Sequence, residues 1–207
     1  MKFCTRFLTE GIVMSTVGLT LMAGVAHGQT LSPGELVPTL RQGGYVFVMR
    51  HATSPGEAPD TQTANPDNTK LERQLDAAGR TGATVMGKAL RDLNIPIGGV
   101  FTSPTYRALE TVKFAQLANP TSVTELGDGG QSMQGVPEAQ AAWLREKVAQ
   151  VPTGGNTIIV THMPNISRAF PAWGPVADGE TVILRPDGKG GTTIVARMKI
   201  EEWPGLR

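Results

Sequence analysis

The stretch Gly44-Tyr45-Val46-Phe47-Val48-Met49-Arg50-His51 decides the fold. Five apolar residues in a row follow a glycine pair and end on a guanidinium and an imidazole. A strand with one wet face alternates apolar and polar residues. An unbroken run reads as a strand buried on both faces, the habit of parallel strands packed between helices. A second run, Asn156-Thr157-Ile158-Ile159-Val160-Thr161, also ends on a histidine, His162. A third, Val100-Phe101-Thr102, leads into Ser103-Pro104, with Arg107 in the first turn of the helix expected to follow.

Working outward, Ser32-Pro33-Gly34-Glu35 has the form of a capping box and predicts a helix to about Gln42, stopped by Gly43-Gly44. From Asp76 onward, Ala83, Met86, Leu90 and Leu93 recur on one helical face, and Pro96 with Gly98-Gly99 closes the connection. Ser103-Pro104 is expected to cap a third helix running to about Leu117, and residues 122–125 to form a minor strand before a glycine-rich loop at 127–135. Pro137 opens a fourth helix with Ala141, Leu144, Val148 and Val151 on its buried side. The end of the chain reads as a hairpin, 181–185 and 192–197 around Pro186-Asp187-Gly188. Alternation of strand and helix predicts an α/β protein. The expected form is a three-layer α/β/α sandwich with a mostly parallel central sheet and a C-terminal antiparallel edge hairpin. Residues 53–69 carry almost no periodic apolar signal, and a loop of that length in a compact domain is expected to be functional.

The 207 residues suit one such domain rather than two. Bases (19) and acids (18) nearly balance with no block of like charge, which argues against a nucleic-acid partner, since that needs a basic stripe. The first residues differ from the rest. Lys2 and Arg6 precede an uncharged, largely apolar run at 11–25, and Ala26-His27-Gly28 offers small residues at a cleavage point. That is the layout of a secretory signal peptide over residues 1–28, cut after Gly28 or Ala26, and the run is short for a membrane span. Residues 29–207 then form a single domain of balanced charge. Its thiol count is zero, because Cys4 leaves with the leader, so it depends on its core alone. A periplasmic or secreted protein without stable membrane insertion is expected.

Ligands of open α/β sheets bind beyond the carboxyl ends of the strands. Both histidines of residues 29–207 stand there, each immediately after a buried strand. Arginine offers a rigid fork of donors to phosphate oxygens, and a helix starting at Ser103 adds backbone amides and the positive end of its dipole. Histidine attacks phosphorus only when neutral, and Arg50 and Arg107 beside His51 favour that form. His162 can serve a non-bridging oxygen in the transition state.

Residues 45–54, Tyr-Val-Phe-Val-Met-Arg-His-Ala-Thr-Ser, resemble the Arg-His-Gly signature of the histidine phosphatase superfamily, phosphoglycerate mutase-like branch. Residues 103–111, Ser-Pro-Thr-Tyr-Arg-Ala-Leu-Glu-Thr, are similar to that family's Ser-Pro-x-x-Arg-Ala-x-x-Thr motif. Leu75 to Arg80 resembles its Leu-x-x-x-Gly-Arg helix start, and Ile159-Val160-Thr161-His162 its late histidine motif. An Arg-His pair alone is weak; the ordered set is specific. The resemblance implies a phosphatase acting on a small-molecule or cell-envelope phosphate ester, with no metal and no organic cofactor. It implies His51 as the phosphohistidine, Arg50, Arg107 and His162 as phosphoryl ligands, and Ser54 as a further donor. Two positions depart from the pattern. Ala52 stands where the family has glycine, which is harmless unless the backbone needs positive φ. The general acid is open between Glu125, Asp128 and Glu57 or Asp60 of the long loop. A catalytically weak phosphate-binding protein and a phosphotransferase or mutase use the same residues and stay open too. Gly82 to Lys88 spells most of a P-loop, but inside a helix and with Ala89 in place of the magnesium-binding Ser/Thr. Two histidines without cysteines or paired spacing make a poor zinc site. Asn165-Ile166-Ser167 forms a glycosylation sequon that abuts the proposed site.

Overall fold

A computed structural model describes Met1 and residues 30–54, 73–128 and 136–207. The leader expected over residues 1–28, apart from Met1, lies outside these residues. So do most of the 53–69 loop, with Glu57 and Asp60, and most of the glycine-rich loop. The described elements are α1 (Pro33–Arg41), β1 (Val46–Arg50), α2 (Ala77–Asp92), β2 (Ile97–Thr102), α3 (Tyr106–Phe114), β3 (Thr121–Ser122), α4 (Glu138–Ala149), β4 (Asn156–Thr161), α5 (Met163–Ala169), β5 (Thr181–Pro186) and β6 (Thr192–Met198). One six-stranded sheet has the order β3-β2-β4-β1-β5-β6. β1 and β2 flank β4 in parallel, β3 pairs in parallel with β2, and β5 and β6 are antiparallel additions.

Side chains of successive strand residues leave opposite faces, and both faces are apolar here. Phe47 and Met49 of β1 pack with α1, α2, α3 and the C-terminal turn around Trp203, whereas Val46 and Val48 pack with α4 and α5. This is the expected three-layer α/β/α sandwich, with β6 at the antiparallel edge. The entry to α1 is held by Glu35, whose Oε2 accepts from the Ser32 N–H at 3.0 Å and from its hydroxyl at 2.6 Å. Asp76 caps α2, accepting the Gly79 N–H at 2.6 Å.

Four expectations need correction. β3 is only Thr121–Ser122, and residues 124–126 form a single 3-10 turn that buries Leu126. Val151 is 51% exposed, because α4 stops at Ala149 and a residue before proline, here Pro152, disfavours helical backbone. The cap of α3 is Thr105 rather than Ser103, and the helix ends at Phe114, with Gln116 at φ 55° turning the chain away. Gly98-Gly99 lies inside β2 rather than before it, and a Cβ on Gly98 would sit 2.7 Å from the Gly154 carbonyl oxygen. The P-loop-like residues 82–88 fall inside α2. Among the described residues no helix is long and apolar enough to cross a membrane.

Candidate active site

The register of the sheet brings the two histidines together. Arg50 of β1 lies opposite Thr161 of β4, so His51 and His162, one residue further on, leave adjacent strands side by side. Their ring centroids are 5.2 Å apart, and the two residues are 2% and 1% exposed. On the other side of β4, the Ser103 N–H donates to the Val160 carbonyl at 2.9 Å, which starts the turn to α3 beside His162. The buried Arg107, in the first turn of α3, reaches both imidazoles. Its Nε is 3.1 Å from His51 Nε2, its Nη2 is 3.0 Å from His162 Nδ1, and its Nη2 also pairs with Asp128.

Donor and acceptor capacity settles both tautomers, since guanidinium has no acceptor and a carbonyl has no donor. His51 Nδ1 is 2.8 Å from the Ala52 carbonyl and therefore carries the proton. Its Nε2 offers a lone pair, on which Arg107 and, at 3.4 Å, Arg73 Nη2 converge. His162 is the reverse. Nδ1 accepts from Arg107, and Nε2 faces the hydroxyls of Ser103 at 2.8 Å and Thr105 at 3.1 Å. Burial above all, then Arg107, pushes the His51 pKa down to about 3; Arg73 and Arg50 add to this and the Ala52 carbonyl opposes it. His162 is held well below the ordinary histidine range by burial, then by Arg107, His51, Arg73 and Arg50. Both rings are neutral at pH 7.

Ala52 fits its place. Its φ is not positive, its N–H donates to Thr111 Oγ1 at 3.0 Å, and its carbonyl holds the imidazole. Arg50 Nη1 donates to the Val176 carbonyl at 2.9 Å and Nη2 lies 2.6 Å from Asp178. Ser54 is buried, and among the described residues its hydroxyl has no partner. The 3-10 turn carrying Glu125 is pinned to β4 and α5. Thr161 Oγ1 donates to the Leu126 carbonyl at 2.8 Å, and Asn165 Nδ2 donates to the Glu125 and Gly127 carbonyls at 2.8 and 3.3 Å. This pinning sets the path to Asp128. Of the two candidate acids among the described residues, Glu125 and Asp128, Asp128 is the one that touches Arg107, and within those residues the Glu125 carboxylate makes no hydrogen bond or ion pair. Asn165 is fully buried with its amide so engaged, which removes the sequon as a glycan acceptor in the folded protein.

The sequence reading missed Arg73, Thr105 and Asp178. Arg73 stands two residues before the Leu75–Arg80 motif, and that adjacency was the available signal. Its segment is fastened by the buried Glu110, which accepts the Leu75 N–H at 2.7 Å and pairs with Arg80 at 3.3 Å. Gly79 lets α2 press against the start of the loop, since a Cβ there would stand 2.1 Å from the Thr53 carbonyl oxygen. Nothing in the spacing marked Asp178. Among the described residues no group of three His, Cys, Asp or Glu gathers as a metal cluster would.

No protein-family model and no curated protein matches the chain. Solved structures do. The protein histidine phosphatase SixA complexed with tungstate superposes with a TM-score of 0.57 at 19% identity, over 76% of this chain and 98% of that one. Bacillus stearothermophilus YhfR gives 0.56 at 17%, over 73% and 95%. A phosphoserine phosphatase variant from Entamoeba histolytica in complex with phosphoserine gives 0.52 at 12%, over 76% and 98%. The chain therefore shares the α/β fold of these solved structures.

Proposed function

We propose that the protein is an exported phosphatase that hydrolyses a phosphate monoester through a phosphohistidine on His51, without a metal ion. One observation carries the reading. His51 presents a fixed, neutral Nε2 lone pair beside donor atoms that are buried and make no hydrogen bond among the described residues. Those donors are Arg50 Nε, Arg73 Nε and the Ser54 hydroxyl. Buried polar atoms without partners are rare, and two of these belong to Arg50 and Arg73, guanidinium groups that act on His51 and suit the oxygens of a bound oxyanion. Among the described residues, three guanidinium groups stand against two carboxylates, Asp128 and Asp178, an excess of positive charge around His51. The neighbours of the same fold act in this sense, as protein histidine and phosphoserine phosphatases.

The phosphoryl group takes the place in front of Nε2 on which Arg107 and Arg73 now converge. Nε2 attacks phosphorus, the ester P–O bond breaks, and the leaving oxygen takes a proton from a carboxylic acid. Asp128, displaced from Arg107 by the phosphoryl oxygens and protonated from solvent as it leaves that ion pair, supplies the proton. As a carboxylate it then draws the proton from the water that opens the P–N bond. Arg107, Arg73 and Arg50 supply the charge that a metal supplies elsewhere. Residues 1–28 direct export, and the substrate is a small-molecule or cell-envelope ester met in the periplasm or outside the cell.

The test is hydrolysis of an aryl and an alkyl phosphate by the purified protein in a strong chelator. Activity is expected to persist, and loss restored by zinc or magnesium would contradict the metal-free mechanism. Asp128→Asn is expected to damage the alkyl ester far more than the aryl one, whose leaving group needs little protonation. If Glu125→Gln shows that selective loss instead, the acid is Glu125.

A further inference from the structure

The segment leading into β5 places a second carboxylate on a proposed phosphoryl ligand. Asp178 Oδ1 is 2.6 Å from Arg50 Nη2, with both side chains 26% exposed. This contact is built into the fold. The Gly179 N–H donates to the His51 carbonyl at 2.9 Å, and the Arg50 N–H to the Glu180 carbonyl at 3.1 Å. From β6, Arg197 donates to the Trp173 and Pro175 carbonyls at 2.7 and 2.8 Å and pairs with Glu180 at 2.6 Å. Glu180 in turn accepts the Ala177 N–H at 2.8 Å. The loop on both sides of Asp178 is therefore fastened to the sheet, and the carboxylate is kept on Arg50 rather than left to swing into solvent.

A pocket that only had to hold phosphate tightly would leave its guanidinium groups free. Here an anion fixed on Arg50 opposes a phosphoryl dianion brought to the same fork, by like-charge repulsion and by competition for Nη2. A hydrolase of this type also forms orthophosphate in the same cradle, and every interaction that holds the ester's phosphoryl group equally holds the product. We propose that Asp178 is a positioning residue that competes with the phosphoryl group for Arg50 and so limits product affinity, letting orthophosphate leave. The inference rests on the phosphoryl reading of the pocket given above.

The sign of the effect separates this role from a structural one. If Asp178 merely oriented Arg50, removing its charge would loosen the fork and weaken phosphate binding. If it competes, the same change strengthens binding. Asp178→Asn keeps the shape and a hydrogen-bonding oxygen while removing the charge, and Asp178→Ser is a second variant in case the first does not fold. Two probes serve in the full-length protein: orthophosphate as a competitive inhibitor of aryl phosphate hydrolysis, and tungstate binding followed by calorimetry. Both are expected to bind the variants tighter, on the order of 5-fold, the scale of one partly exposed charge acting on another. KM for the ester is expected to fall in parallel while kcat does not rise. Unchanged or weaker binding in a folded variant overturns the proposal and leaves the phosphoryl reading standing. If the wild type binds neither oxyanion, the phosphoryl reading fails and this inference falls with it.

Discussion

His51 and His162 are the same residue type at the same kind of place, one step past neighbouring parallel strands, both buried and both neutral. Their partners set them apart. His51 Nδ1 faces a backbone carbonyl, which accepts only, so its proton is fixed there and Nε2 is left as a bare lone pair. His162 Nε2 faces two hydroxyls, which donate as readily as they accept, so it is the Arg107 donor on Nδ1 alone that keeps its proton on Nε2. The first arrangement suits a nucleophile. The second suits a ligand that accepts from Arg107 in the free protein and can turn to donate to an oxyanion. One atom on each ring decides the division of labour.

The sharpest way to break the comparison is to delete each ring. His51→Ala is expected to abolish turnover, because no neighbouring group replaces the nucleophile. His162→Ala is expected to retain turnover, reduced on the order of 10²-fold, as for loss of one preorganised contact to the transition state. Equal, total loss in both, measured as kcat on an aryl phosphate, would remove the distinction.

Next in size is a stability effect that both rings share. A histidine that titrates near 6.5 when unfolded and far lower when folded binds more protons in the unfolded state between those values. Stability is then full above about pH 6.5 and falls as pH drops toward the folded pKa, by about 1.4 kcal/mol per pH unit and per histidine. Urea denaturation at pH 7, 6 and 5 is expected to show this fall, and each of His51→Asn and His162→Asn to reduce its slope by about half. An unchanged slope in the variants would mean that the depressed pKa values belong elsewhere.

The smallest expected effect sharpens the comparison most finely. Nitrogen-15 spectra of the histidine side chains are expected to find the proton on Nδ1 of His51 and on Nε2 of His162 in the free protein. Thr105→Val is expected to leave that pattern intact and change kcat/KM only a few-fold, because Ser103 remains on Nε2 at 2.8 Å. A proton on Nδ1 of His162 in the free protein would contradict the assignment.

The comparison also explains what could be read from the chain. Positions of the two histidines were legible because β1 and β4 carry apolar runs at 46–49 and 158–160, buried on both faces, and such runs announce both the parallel sheet and the strand ends where ligands bind. The apolar face of α2 was legible for the same reason. Partners were not. Arg73 reaches His51 across 22 positions, Thr105 reaches His162 across 57, and Asp178 reaches Arg50 through a loop fastened by β6. No local pattern encodes contacts made only when the sheet is assembled. Residues 122–125 failed for a related reason: β-type composition cannot tell a strand from an edge segment that bends to bury Leu126.

The central claim is that the lone pair fixed on His51 Nε2 forms a covalent bond to phosphorus, and the direct measurement is chemical trapping. Protein quenched during turnover of a phosphate ester is expected to carry a phosphoryl group that is stable in base and labile in acid, on the peptide containing His51, and absent from His51→Ala. A phosphoenzyme that persists in His51→Ala, or one whose phosphoryl group maps to His162, would contradict it.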